Sequence, residues 1–492
     1  MVDGLYRVPC GPLRSAGLLL LWLAVPIFAI QAQEGPTRHD TFNSRPWSED
    51  FHQLLYEMGT HYANLEWAVN DRRMDLPGLV KKSEDALQNA HSDEDARTAI
   101  KTFLDSFGDG HLEIEWPSSD ASASKTKPEA DICDHLGYHP RGKPGIDYSL
   151  LTELSSVRSA EEKLFPGGLL KVGSRTFGLI RIGVFTEKGF PDVCYQAVQQ
   201  MGLSVNAACD VACADAVEVK TADLLTAALT TRAGQMGHAG ATALLIDITR
   251  NGGGSDWVDA PPRALSAKPL RDPRKSFVKS DHWLRQLEDT LRDIVADQHN
   301  GHASDPFLRD AALRLRKAIA ASKQPCDASK VWVTGKLDCS FLAKGFLFAS
   351  GVLRYAAPGS LAGFKSRDDL FYPARYAYTE STNRLPRYVL VDKDTWSAAE
   401  YFAALLQDNH AATIVGELTG GAGCGYTNGG IPTLLKNSNA DVQMPDCVRL
   451  RADGSDEVNG ITPDVLIPWA KRDSEYQRVQ KLMTVLSIEA SQ

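Results

Sequence analysis

Apolar residues recur with a helical period from the start of the ordered-looking chain. Trp47, Phe51, Leu54, Leu55, Met58, Tyr62 and Leu65 fall on one stripe, which predicts a first helix. A second helix is expected over Leu76–Ala90. A third begins at Ser92, which has Asp95 three residues on, and carries Ile100, Phe103, Leu104 and Phe107 before stopping at Gly108. These elements predict a small N-terminal helical domain over residues 45–117. The run "SSDASASKTKPEAD" (Ser118–Asp131) reads as a linker by composition, and residues 118–170 as a connecting region.

Beyond that region the pattern changes. "TFGLIRIGVF" (Thr176–Phe185) is strand-like, and "ATALLIDI" (Ala241–Ile248) is a continuous apolar run of the kind a strand buried on both faces shows. "RYVLVD" (Arg387–Asp392) and "ATIVGE" (Ala412–Glu417) repeat that character, with helical stretches between. Strands alternating with helices predict an α/β core, placed at residues 171–472. Two amphipathic helices at 281–322, the first marked by Leu284, Leu287, Leu291 and Ile294, read as a helical insertion of about 275–325 between two strands of that core.

Composition adds boundaries. The 492 residues are 43% hydrophobic and 23% charged, as in a soluble globular protein of more than one structural unit. The formal net charge is −9 with no long basic run, which argues against a nucleic-acid partner. At the N-terminus, Arg7 and Arg14 precede "AGLLLLWLAVPIFAI" and "QAQEG". A basic start, a short apolar run and a small residue predict a signal peptide over residues 1–32, cleaved near Ala32 or Gln33, and hence a secreted or periplasmic protein. After cleavage no segment is long and apolar enough for a stable membrane span.

Eight cysteines follow the signal segment, an even number that suggests disulfides in an exported chain. They allow 105 pairings. The short closures Cys209–Cys213, Cys326–Cys339 and Cys424–Cys447 leave Cys133–Cys194. A zinc site at Cys209-x-x-x-Cys213 is the competing reading, and it lacks a nearby histidine pair.

Four stretches carry candidate chemistry. "DITRNGGGSD" (Asp247–Asp256) follows a buried strand, and its glycines permit a tight turn whose N–H groups approach a ligand closely. A phosphate loop is excluded because the Gly-Lys-Ser/Thr ending is absent. Ser397 in "TWSAAEYF" stands between a strand and a helix. With Glu400 three residues on, it fits a capping box. The same place would suit a nucleophile beside the free N–H of Ala398. His111 lies in the Gly-rich turn "GDGHLEIEW", where a structural histidine is the plain alternative. "DEVNGITPDV" (Asp456–Val465) places carboxylates around a turn, where solvated side chains are the ordinary expectation.

In this order, the stretches "DSFGDGH", "LLIDITRNGGG", "DTWSAAEYFAALLQDNHAATIVGELTGG" and "EVNGITPDV" resemble the tail-specific, or C-terminal processing, serine proteases, including the tricorn core and interphotoreceptor retinoid-binding protein modules. The resemblance implies an α/β fold with a crotonase- or ClpP-like superhelical catalytic core behind the small N-terminal helical domain. It implies Ser397 as nucleophile and an oxyanion hole of backbone N–H groups from Ala398 and from Gly252 or Gly253.

Bacterial members use a lysine base about 25 residues after the serine. Here Ala422 stands at that place, and no Lys or Arg occurs between Ser397 and Lys436. The tricorn-like branch uses a histidine from the N-terminal unit, a place that His111 matches, and a glutamate that Glu457 matches. Asp109 and Glu400 are supporting residues on this reading.

Two departures stand out: Gly110 where the branch has a serine, and a span from Leu112 to Val172 that is short for a PDZ module. The expected activity is hydrolysis of a peptide or protein substrate by a serine-type endopeptidase with no cofactor and no metal. A binding protein for an apolar ligand or peptide and a serine esterase are the alternatives on the same fold. The oligomeric state is left open.

Overall fold

The computed structural model describes residues 42–117, 131–302, 304–324, 326–381, 383–427, 430–431 and 433–491. The signal segment 1–32 and nearly all of the Ser118–Asp131 linker lie outside the described residues.

The N-terminal unit is helical, with α1 (Arg45–His61), α2 (Leu65–Asn70), α3 (Leu76–Gln88) and α4 (Asp93–Asp105). The predicted first stripe is split. At Tyr62 the backbone turns extended, and Ala63 N–H donates to Pro445 O at 2.8 Å, so a tertiary hydrogen bond replaces the helical one and Leu65 opens a separate helix. α4 starts as its sequence predicts, with Ser92 Oγ accepting from Asp95 N–H at 3.1 Å. Phe51, Phe103, Phe107 and Tyr62 pack edge-to-face beneath these helices and are buried.

The core is a seven-stranded sheet. In chain order its strands are β1 (Leu154–Ser156), β2 (Gly167–Val172), β3 (Arg175–Arg181), β4 (Ala243–Asp247), β5 (Arg387–Val391), β6 (Thr413–Gly416) and β7 (Val465–Leu466), and in space they run β7-β6-β5-β4-β3-β2-β1. Strands β3 to β7 pair in parallel, while β1 and β2 add an antiparallel edge. β1 and β2 arise from residues read as connecting region. β1 is too short and exposed to show a period, and β2 carries the two glycines of "GGLLKV", so neither announces itself as a strand.

Alternate residues explain the continuous apolar runs. Leu244, Ile246, Val389 and Val391 pack with the helices Val211–His238 and Ala398–Asp408 on one face. Ala243, Leu245, Tyr388 and Leu390 pack on the other face against Val479, Leu482 and Leu486 of the C-terminal helix Glu475–Glu489. The chain is thus a mixed α/β protein with a large central sheet and a small N-terminal helical region.

A smaller sheet is built from two strands between β4 and β5, neighbours in the large sheet, and one strand after β6. Strands Arg274–Val278, Leu342–Phe348 and Cys447–Leu450 form a separate antiparallel sheet in the order Cys447–Leu450, Arg274–Val278, Leu342–Phe348. The inserted helices Asp281–Asp297 and Pro306–Ser322 therefore connect two strands of this smaller sheet, not two strands of the seven-stranded one. Phe277, Trp283, Leu287, Leu308 and Leu315 form their joint core. The four disulfides are Cys133–Cys194, Cys209–Cys213, Cys326–Cys339 and Cys424–Cys447, so the Cys209/Cys213 pair is cross-linked and not a metal ligand set. Among the described residues no helix is long and apolar enough to cross a membrane.

Candidate active site

Ser397 follows β5 through the turn Asp392–Trp396. Thr395 Oγ1 accepts from Asp392 N–H at 3.0 Å and donates to Ile248 O at 3.1 Å, and Trp396 N–H donates to Asn251 O at 3.0 Å. These bonds tie the turn to the Gly-rich loop after β4. Ser397 itself has φ 55° and ψ −118°, a left-handed conformation that costs a non-glycine residue about 1–3 kcal/mol and so needs support from its surroundings. Glu400 supplies part of that support, since its Oε2 accepts from Ser397 N–H at 2.9 Å. The glutamate half of the capping box is present, yet the serine hydroxyl is engaged elsewhere.

That hydroxyl lies 3.0 Å from His111 Nε2. The two residues, 286 positions apart, meet because the turn after α4 is pinned on the β-core. Asp109, buried, accepts from His111 N–H at 2.9 Å through Oδ1, and from Tyr62 Oη at 2.9 Å and Asn64 Nδ2 at 2.7 Å through Oδ2. Burial raises the Asp109 carboxyl above its usual range, opposed by the Asn64 and His111 bonds.

On the far side of the ring, His111 Nδ1 is 2.5 Å from Ala422 O. A carbonyl only accepts, so Nδ1 carries the hydrogen and Nε2 presents its lone pair to the serine. Tyr426 completes the cradle: its hydroxyl donates to His111 O at 2.5 Å, and its ring stands edge-on 5.4 Å from the imidazole.

Glu400 does more than cap a helix. Its buried carboxylate also accepts from Thr419 Oγ1 at 2.6 Å, Gly421 N–H at 2.7 Å and Ala422 N–H at 2.8 Å. One side chain thereby holds both the serine backbone and the residue whose carbonyl orients His111. Burial raises its pKa, partly offset by the Thr419 and Ala422 bonds.

Two expectations are corrected. Glu457 reaches neither His111 nor Ser397: its Oε2 and Oε1 accept from Arg449 Nε and Nη2, each at 2.7 Å, because a carboxylate at 1% exposure needs a fully paired cation. Gly253 offers no free donor, since its N–H is given to Asn251 Oδ1 at 2.9 Å. The N–H groups of Ala398 and of Gly252, which is exposed, have no acceptor among the described residues. Gly110 also has its reason. A Cβ there would come within 2.6 Å of Trp396 Cζ3, so the place where the related branch has a serine is filled by an indole.

Ala422 O, Tyr426 and Arg449 escaped sequence reasoning. Tyr426 lay within sight in "GAGCGYTNGG", as an aromatic in a Gly-rich loop near the serine. The Ala422 contact uses a backbone atom and leaves no residue signature.

A cavity of about 530 Å³ opens next to this constellation, walled by Asp256, Lys275, Trp283, Tyr372, Cys424 and Tyr426 among others. The inserted helix Asp281–Asp297 forms one side of it. A larger cavity of about 860 Å³, between Tyr148, Leu179 and Phe190, includes none of the residues above.

A nucleophile on a strained strand-to-helix turn, an imidazole of defined tautomer and unengaged backbone N–H groups make up the apparatus of acyl transfer. Residues 216–467, just over half the chain, match the model of peptidase family S41. The chain belongs to that family. It is 29% identical over 265 residues to a protein of Chlamydia muridarum (strain MoPn / Nigg), an alignment covering 50% of this chain and 38% of the relative. With a protein of Chlamydia pneumoniae it shares 24% identity over 250 residues, covering 48% and 35%. The match thus spans well under half the length of these relatives. In fold, the chain is similar to mature CPAF complexed with lactacystin, with a TM-score of 0.56 at 15% identity, covering 91% of this chain and 98% of the other. Mature CPAF alone gives the same TM-score and identity.

Proposed function

We propose that this protein is an exported endopeptidase in which His111 activates Ser397 for attack on peptide carbonyls. The 3.0 Å contact between His111 Nε2 and Ser397 Oγ, with Nδ1 tied to Ala422 O, carries the reading. In the first step Nε2 takes the hydroxyl proton as Oγ bonds to the carbonyl carbon. The carbonyl oxygen gains charge and is met by the N–H groups of Ala398 and Gly252. His111 then gives its proton to the leaving amine, and water, deprotonated by the same nitrogen, cleaves the acyl-enzyme. The imidazolium formed in both steps is steadied by Ala422 O, a dipole in the role that a carboxylate holds in the familiar triad. Asp109 fixes the backbone of the histidine and is not placed to touch its ring nitrogens. Export is supported by the basic and apolar start of the sequence and by four disulfides, which persist in oxidising compartments.

A fluorophosphonate probe tests the nucleophile. Peptide mapping is expected to find the label on Ser397 of the folded protein, with loss of peptide hydrolysis. A folded protein that hydrolyses nothing and takes no label would favour a binding role.

The pH profile tests the base. Burial pulls the His111 pKa below its usual 6.5, against the opposing pull of Asp109 and Ala422 O. The neutral ring is the active form, so kcat/KM should be level through neutral pH and fall, with the loss of one titrating group, only on the acid side of 6.5. An acid limb centred above that value contradicts His111 as base.

A further inference from the structure

Resting on the reading of His111 as base, we infer that Arg449 is a positioning residue through which Glu457 acts on the histidine. Glu457 and the loop carbonyls are all hydrogen-bond acceptors, so no direct bond can join that carboxylate to those carbonyls. Arg449 resolves this with its fork. It donates through Nε and Nη2 to Glu457, and the same Nη2 donates to Gly423 O at 2.7 Å. Gly423 is the residue after Ala422, whose carbonyl holds His111 Nδ1.

Three consecutive residues of this loop are therefore anchored by three different means. Ala422 N–H is bound by Glu400, Gly423 O by Arg449, and Cys424 by its disulfide to Cys447, on the strand that also carries Arg449. The guanidinium also lies 4.9 Å from the ring centroid of Tyr401, on the helix that starts after Ser397. With Glu457 as counter-charge, the buried guanidinium is held at one end of a rigid line that finishes at the imidazole. A lysine cannot reproduce that line, because one ammonium lacks the planar fork.

A double-mutant cycle tests the inference. Arg449→Met is expected to lower kcat about 10²-fold with KM changed less than about 3-fold, the cost of a base misplaced by around an ångström. Because Ala422 O favours the protonated ring, its displacement should move the acid limb of kcat/KM to lower pH, a shift read in Arg449→Lys, which keeps the positive charge. In Arg449→Met the loss of that charge, whose presence lowers the His111 pKa, pulls the other way. A loss of stability alone would leave that limb in place. Glu457→Gln should lower kcat about 10-fold in the native background and less than about 2-fold when Arg449 is already Met. Arg449→Lys should lower kcat and shift the limb to lower pH. It carries the test if the methionine variant, with Glu457 uncompensated, fails to fold.

Additive losses, or an acid limb unmoved in Arg449→Lys, overturn the inference. Wild-type protein treated with fluorophosphonate in parallel separates the two levels. If wild-type Ser397 labels and the cycle is additive, only the role of Arg449 falls; if wild-type Ser397 does not label, the catalytic reading itself falls.

Discussion

Replacing Ser397 by alanine should reduce peptide hydrolysis by about 10⁴–10⁶-fold in kcat, since nothing else in the site supplies a nucleophile to the waiting imidazole. The structural cost should be small. Alanine keeps the Cβ and the left-handed backbone of φ 55° and forfeits one half-buried hydrogen bond to His111, worth about 1 kcal/mol. Ser397→Gly removes the hydroxyl and the backbone strain together. It should be as inactive as the alanine variant yet more stable than it by about 1 kcal/mol. Peptide turnover and thermal melts on both variants give the two readouts. Activity retained in either, or a glycine variant less stable than the alanine one, would mean that the strained serine is not the reacting group or is not strained.

The second large effect is expected at Gly253. Its φ is +95°, and a Cβ built there would lie 2.8 Å from Ser397 Cβ and 2.9 Å from both Ala398 N and Trp396 O. None of these atoms sits at the end of a flexible side chain, so the nucleophile turn itself has to move. Gly253→Ala should cost about 1–3 kcal/mol of stability from strain and overpacking. A shift of the serine by a fraction of an ångström should lower kcat by about 10²-fold or more. The outcome is diagnostic, because Gly253 contributes no N–H to the site. Wild-type kcat in a folded Gly253→Ala protein would show that the turn tolerates displacement and that its close packing is incidental.

Much of the architecture was legible because it is local. The stripe of Phe51, Leu54, Leu55 and Met58, the Ser92 cap and the apolar runs of β4 and β5 each follow from a period or a terminus. The cysteine connectivity was open among 105 pairings, and the set of short closures is the one the fold forms. What stayed hidden depends on long-range partners. The smaller sheet joins Arg274–Val278 to Cys447–Leu450, and nothing in either segment announces the other. Within the site, residue types pointed to Ser397 and His111, but not to how they are held. Glu457 looked like a member of the machinery because its carboxylate suits that chemistry. Only the fold shows that the neighbouring Arg449 takes both its oxygens. Gly253 likewise looked like a donor until Asn251, adjacent in the loop, proved to hold its N–H.

The docking of the helical unit has a consequence for how the catalyst comes into being. Trp67 Nε1 bonds Asn459 Oδ1 at 2.8 Å, Asp50 caps Asn437 and Ser438, and Glu113–Glu115 adds a strand to Asp441–Gln443. Other bonds reach segments made before Ser397: Trp332 Nε1 donates to Leu55 O at 2.7 Å, and Glu66 Oε1 accepts from Phe341 N–H at 3.0 Å and Leu342 N–H at 3.1 Å. His111 itself is held by Ala422 O and Tyr426, both later in the chain than Ser397, so its cradle is complete only after the serine has been made.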